Sequence, residues 1–140
     1  MIILDTNVIS ELMRAAPDEQ LIRWIAAHDT ATLFLTSVTV AEILHAVMSL
    51  PAGRRRRAIE SAAEAMFEED FADRILPFGS DEAPRYAQIV ADRQRLGRPI
   101  SQFDALMAAI ASTRTAALAT RNVADFSHCG IRVLDPWACE

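Results

Sequence analysis

Met1-Ile2-Ile3-Leu4-Asp5-Thr6-Asn7-Val8-Ile9 opens the chain, and the reading of this stretch decides the fold. Residues 1 to 5 read as a short buried strand, an apolar run that stops abruptly at an acid. Thr6 and Asn7 are residue types that start helices, and Val8, Ile9 and Leu12 follow at helical spacing. The alternation continues downstream. Thr32 to Thr36 is a second buried strand, followed by an amphipathic helix through Val40, Ile43, Leu44, Val47 and Met48 that Pro51 and Gly53 close. Before it, a helix after Pro17 carries Leu21, Ile22, Trp24 and Ile25. After it, a helix starts near Arg54 and runs to about Phe71, Arg74 to Phe78 is a short strand, and a helix through Tyr86, Ile89, Val90 and Leu96 stops at Gly97 and Pro99. Ser101 begins a further helix. Ala116 to Thr120 and Ile131 to Leu134 are the last strands. Strands separated by helices in this order predict an α/β chain: a parallel sheet of four to five strands covered by helices on both faces.

Composition narrows the class. At 140 residues the chain fits one domain, 1–140, with a core built without disulfides or structural metal. Hydrophobic residues make up 51% and aromatics 6%, so that core is aliphatic and alanine-rich. Cys129 and Cys139 lack metal-ligand spacing and read as free thiols. No apolar run approaches a membrane span, and the first residues lack the positive flank of a signal peptide, so a cytoplasmic protein with no membrane partner is expected. The net charge of −5 argues against nucleic acid at first sight, yet all 14 basic residues are arginine and four are consecutive, Arg54 to Arg57. That run is either a set of phosphate contacts or a solvated helix start.

In open parallel sheets, ligands gather beyond the carboxyl ends of the strands, so acids there mark the expected site. Asp5 directly follows the first strand. Glu42 stands on the first turns of the helix leaving the second, Asp104 in the first turn after Ser101, and Asn122 and Asp125 just past the strand ending near Thr120. Four distant segments thus bring oxygen-bearing side chains to one rim, where close carboxylates repel unless a cation joins them. Oxygen ligands without histidine or cysteine suit Mg2+, with Mn2+ as a substitute, and such a site activates water against a phosphodiester. Each acid also has a structural reading. Ser101 to Asp104 and Thr39 to Glu42 match capping boxes, Asp5 can cap the helix at Thr6 or Asn7, and Asn122 to Asp125 can be a surface turn.

These residues resemble the PIN-domain family. Leu4-Asp5-Thr6-Asn7-Val8-Ile9-Ser10-Glu11 is similar to its opening signature, and Ser37 to Ile43, Phe103 to Ala111 and Ala119 to Phe126 are similar to later pieces in the same order. The ending Val133-Leu134-Asp135-Pro136-Trp137 resembles the VapC and FitB branch. The resemblance implies a PIN-like fold and a magnesium-dependent endoribonuclease, the toxin of a type II toxin-antitoxin pair silenced by a VapB-like antitoxin. It further implies a homodimer that meets DNA only through the antitoxin. Asp5 and Asp104 would be the principal metal ligands, and Glu42 a further acid. The fourth position is either Asp125 or Asn122, which stands where some relatives carry an aspartate directly after Thr-Arg. Thr6 and Thr120 would orient carboxylates. RNA attraction would fall to arginines around the cleft, with Arg14, Arg93, Arg95, Arg98 and Arg121 as candidates.

Two other classes are weighed. Aspartyl-phosphate domains also place an acid after the first strand, but receiver domains need a lysine, which the chain lacks, and the phosphatases need a second aspartate where Asn7 stands. A catalytically weak PIN-fold module that acts mainly within an antitoxin–DNA complex would be marked by loss of a core acid. Asp5, Glu42 and Asp104 are all present.

Overall fold

A computed structural model describes residues 1–138, so Cys139 lies outside the described residues. Strands β1 (Ile2–Leu4), β2 (Leu33–Thr36), β3 (Ile75–Leu76), β4 (Ala117–Ala119) and β5 (Val133–Leu134) form one sheet in the order β3-β2-β1-β4-β5. Every pairing is parallel, with Ile3 opposite both Phe34 and Leu118. Helices α1 (Thr6–Leu12), α2 (Glu19–Ala26), α3 (Ser37–Met48), α4 (Arg54–Ala65), α5 (Ala83–Arg95) and α6 (Gln102–Thr113) connect them. The fold is the parallel α/β sheet, covered by helices on both faces, that the alternation predicts.

Successive residues of each strand point to opposite faces, and each face has its own core. Ile3, Phe34, Leu76, Leu118 and Val133 pack with Ile89 of α5 and with Met107, Ala108 and Ile110 of α6. Leu4, Leu33, Leu35, Ile75 and Ala119 pack on the other side against α1 to α4, through Val8, Ile9, Leu21, Ile43 and Ala63. The sheet is therefore buried twice over, and its strands are almost uninterrupted apolar runs. Among the described residues no helix is long and apolar enough to cross a membrane.

Each strand is shorter than its expected span, β3 most of all, and local structure also departs from expectation at the starts of α1 and α3 and at the end of α4. Strand β1 ends at Leu4, and Asp5, with φ −67° and ψ 160°, serves as N-cap of α1. The expected capping box from Thr39 to Glu42 does not form. Strand β2 runs into α3 without a loop, so its last residue has to be the cap: Thr36 Oγ1 accepts from Thr39 N at 3.2 Å. The helix expected from Arg54 to Phe71 widens after Ala65 into a π turn over Met66–Asp70, which brings both Phe67 and Phe71 into the second core.

Ile3 is fully buried at the centre of the sheet, whereas Ile22 of α2 is 43% exposed. Ile3→Ala is expected to cost ~2–5 kcal/mol in urea denaturation, through lost transfer energy and the cavity left behind. Ile22→Ala is expected to cost less than about 1 kcal/mol in the same measurement.

Candidate active site

The sheet order reverses direction at β1: chain leaving β1 enters β2 on one side, and β4 pairs with its other side. A crevice opens at such a switch point, beyond the carboxyl ends of the two neighbouring strands. There lies an open cleft of about 410 Å³ whose lining includes Asp5, Asn7, Glu11, Arg14, Asp104 and Asn122.

Asp5 sits deepest, only 6% exposed. Its Oδ1 accepts from Thr6 N at 2.7 Å, and its Oδ2 accepts from Thr120 Oγ1 at 2.7 Å and Asn7 Nδ2 at 3.2 Å. Thr120 Oγ1 itself accepts from Asn122 N at 3.1 Å and Asn7 Nδ2 at 3.2 Å. Those two bonds occupy the hydroxyl's lone pairs and commit its one proton to Asp5. Burial pushes the Asp5 carboxyl above the usual carboxylate range, and the nearby Glu42 and Asp125 carboxylates add to the rise, while the bonds from Thr120 and Thr6 oppose it.

Asp104 stands in the first turn of α6, half-buried, with its backbone N–H donating to Ser101 Oγ at 3.2 Å. The first half of the expected capping box is therefore real, and Asp104 belongs to a helix start and to the cleft at once. Burial raises its carboxyl too, followed by Asp5 and Asp125, against a hydrogen bond from Ser101 and the positive charge of Arg93. Both acids lie at helix N-termini, whose partial positive charge offsets some of their repulsion.

The remaining expected acids are less directly placed. Glu42 is partly buried and one hydroxyl removed from Asp5: Thr6 Oγ1 donates to Glu42 Oε1 at 2.8 Å and lies 3.0 Å from Thr39 Oγ1. Asn122 lines the cleft, whereas Asp125 lies exposed on a 3₁₀ turn over Val123–Phe126, close enough to raise both Asp5 and Asp104. Among the described residues, no three His, Cys, Asp or Glu side chains are gathered as a finished metal cluster. Asp5 and Asp104 share the cleft; outside its lining, Glu42 acts on Asp5 and Asp125 on both.

The arginines divide as well. Arg14 lines the cleft and pairs with Glu11 at 3.3 Å, Arg95 pairs with Asp92 at 3.0 Å, and Arg121 lies 5.1 Å from the Trp137 ring centroid. Arg93 is not a surface cation at all. It is 5% exposed and directs its donors to backbone carbonyls, which corrects its expected place among RNA contacts. Sequence reasoning also missed Asn7 as more than a helix starter. Its amide bridges Asp5 and Thr120, and its Oδ1 accepts from Arg121 N at 3.3 Å. The available signal was the polar stripe Asn7, Ser10 and Glu11, spaced as one face of α1 opposite Val8, Ile9 and Leu12.

Comparison with known proteins agrees with this fold. The PIN domain family profile matches residues 2–130. The chain is 38% identical over 137 residues to "VapC ribonuclease Y4jK" of Sinorhizobium fredii, covering 98% of each protein. It is 35% identical over 137 residues to "Toxin FitB" of Neisseria gonorrhoeae, covering 98% of this chain and 99% of that one. Its fold superimposes with a TM-score of 0.94 on a chain of the structure of FitAB bound to an IR36 DNA fragment, at 35% identity, covering 100% of this chain and 98% of that one. The chain therefore belongs to the PIN domain family, on the branch that includes VapC and FitB.

Proposed function

We propose that this chain is a magnesium-dependent endoribonuclease, the toxin of a VapBC-type toxin-antitoxin pair, which hydrolyses RNA phosphodiester bonds at the cleft shared by Asp5 and Asp104. The observation that carries the reading is a buried carboxylate and a half-buried one facing the same cleft, neither in an ion pair among the described residues. Such a pair calls for a cation. Magnesium is commonly held by one or two carboxylates with waters completing its shell, so a third clustered acid is not required. Asp5 and Asp104 are the proposed ligands; Asp5 Oδ1 accepts one hydrogen bond and keeps accepting capacity. Asn122 lines the same space. When bound there, magnesium, or manganese in its place, supplies Lewis-acid chemistry toward a phosphodiester.

The chain's own residues do the positioning. Thr120, Asn7 and the Thr6 amide hold the Asp5 carboxylate in one orientation, and Thr6 ties Glu42 to the same framework. Glu42 and Asp125 complete the acidic field as the further catalytic acids. Arg14 at the cleft supplies positive charge for a phosphate backbone that the acids alone would repel. The ribonuclease name of a 38% identical relative supports RNA as substrate, and the FitAB complex supports an antitoxin partner. A homodimer silenced by a VapB-like antitoxin, touching DNA only through that partner, completes the reading.

Purified protein is expected to cut RNA in magnesium and to stop in EDTA. Asp5→Ala and Asp104→Ala are expected to slow cleavage by more than ~100-fold, beyond the usual cost of losing an outer partner of a metal ligand. Unchanged cleavage in both variants would remove this site from the reaction. A protein that binds manganese yet cuts no RNA would favour a binding module within an antitoxin–DNA complex.

The raised carboxyls give a second test. A carboxyl whose pKa is higher in the fold than its ordinary value of about 3.8 favours the fold when protonated. That contribution is fully present below 3.8 and is lost as pH rises through the higher folded value. Asp104→Asn removes one such ionisation. In EDTA its Tm, relative to the unsubstituted chain, is expected to rise with pH across this window, while half-saturating magnesium increases ~10-fold or more. A large loss of stability at every pH would instead place the capping role of residue 104 ahead of metal binding.

A further inference from the structure

Helix α5 reaches the loop beside the cleft with two arginines eight residues apart, two helical turns along the same side. Arg85 Nε donates to Ser112 Oγ at 2.8 Å, and its NH2 donates to the Cys129 carbonyl at 3.1 Å. Gly130, where φ is +71°, suits a residue without a side chain, and a Cβ there would come within 2.8 Å of that NH2, so the guanidinium end would have to shift. Arg93 goes deeper. Its Nε donates to the Arg98 carbonyl at 2.6 Å, and its NH1 donates to the carbonyls of Asp125 at 2.8 Å and Ser127 at 3.0 Å, with Cys129 Sγ at 3.6 Å.

A buried cation is costly unless it is paired and fully bonded. The ion pairs among the described residues are Arg14–Glu11 and Arg95–Asp92, so Arg93 is neutralised by carbonyl dipoles and not by a contacting carboxylate. The segment that it grips joins β4 to β5 and carries both candidates for the fourth site position. Apart from the 3₁₀ turn it has no regular structure, and His128 stands at φ 60°. Phe126 anchors the turn in the core at 1% exposure, but it leaves the peptide planes on either side to be set by other contacts. The carbonyls at 125 and 127, which flank it, are the ones that Arg93 holds.

We propose that Arg93 is a positioning residue of the acidic site: by holding the carbonyls of Asp125 and Ser127 against α5, its buried guanidinium sets where the Asp125 carboxylate stands relative to Asp5 and Asp104. The proposal rests on the metal-dependent reading of the cleft. Arginine is suited to the task because a planar fork donates to several fixed acceptors at once. Lysine offers only a compact ammonium on a flexible stem. Its charge survives the exchange, but the simultaneous grip on residues 98, 125 and 127 does not.

The test is a manganese titration by calorimetry on the full chain, for the unsubstituted protein, Arg93→Lys, Asp125→Ala and the double variant, alongside the magnesium dependence of RNA cleavage. Arg93→Lys is expected to weaken manganese binding ~10-fold, in the range for groups that orient metal ligands, and to lower kcat with KM for RNA unchanged. Asp125→Ala, a change at an exposed side chain, should weaken manganese binding to a similar degree. The double variant should be no weaker than the weaker single one, because both changes remove the same placement. Wild-type affinity in Arg93→Lys, even with a lowered Tm, would overturn the proposal. So would full additivity in the double variant, or unchanged affinity in Asp125→Ala, which decides the matter alone if Arg93→Lys does not fold. A chain that binds manganese and cuts no RNA would refute the nuclease reading while leaving the positioning role of Arg93 to stand or fall on the titration; one that binds no manganese would refute both.

Discussion

Burying a carboxylate at the carboxyl end of the central strand constrains everything around it. Asp5 has its backbone N–H bonded to the Ala119 carbonyl of β4 at 2.9 Å while its side chain caps α1 and receives the Thr120 hydroxyl. One residue thus ends β1, begins α1 and ties both to β4. The cost of desolvating its charge is met by three donors from two segments more than a hundred residues apart, and it is not met in full, since the carboxyl remains raised. The unmet part is what the cation proposed for the cleft would offset. In this sense the stability of the β1–β4 junction and the reactivity of the cleft arise from the same atoms.

The other acids are delivered by helix starts and edges in place of strand interiors. Asp104 sits on the first turn of α6, whereas Glu42 stands past the first turn of α3. Helix N-termini tolerate acids and often require them, so negative charge can be assembled there without an adverse local conformation. Glu42 is linked to Asp5 through Thr6 and Asp125 only across space, so the site is a tightly held Asp5 with Asp104 in the same cleft and two further acids around them. Counter-charge is arranged differently on the two sides. Arg14 is exposed at the cleft, where solvent screens it and a passing phosphate can displace its pairing with Glu11. Arg93 is buried behind the loop, where it acts on backbone dipoles.

Much of this was legible in the sequence because it follows from local rules. The apolar runs Ile2–Leu4 and Leu33–Leu35, and the helical spacing after each, give strand and helix from two periodicities, and five such strands with helical connections leave a parallel sheet as the simplest arrangement. Asp5 and Asp104 could be named because acids placed directly after a strand or at a helix start point to the sheet's carboxyl edge. The Thr39–Glu42 capping box went astray for a local reason too: no loop separates β2 from α3, and pattern alone does not reveal which of two threonines caps.

What the sequence by itself determined, then, is the order of elements and the acids set at their ends, since dihedral preference, periodicity and capping act over only a few residues. Only the tertiary structure decided that Asn122 lines the cleft while Asp125 flanks it, that Asn7 bridges Asp5 to Thr120, and that Arg93 is a buried clamp. The bonds behind the last two span 113 and 32 residues of chain, where the donor's partner is set by packing and has no periodic trace.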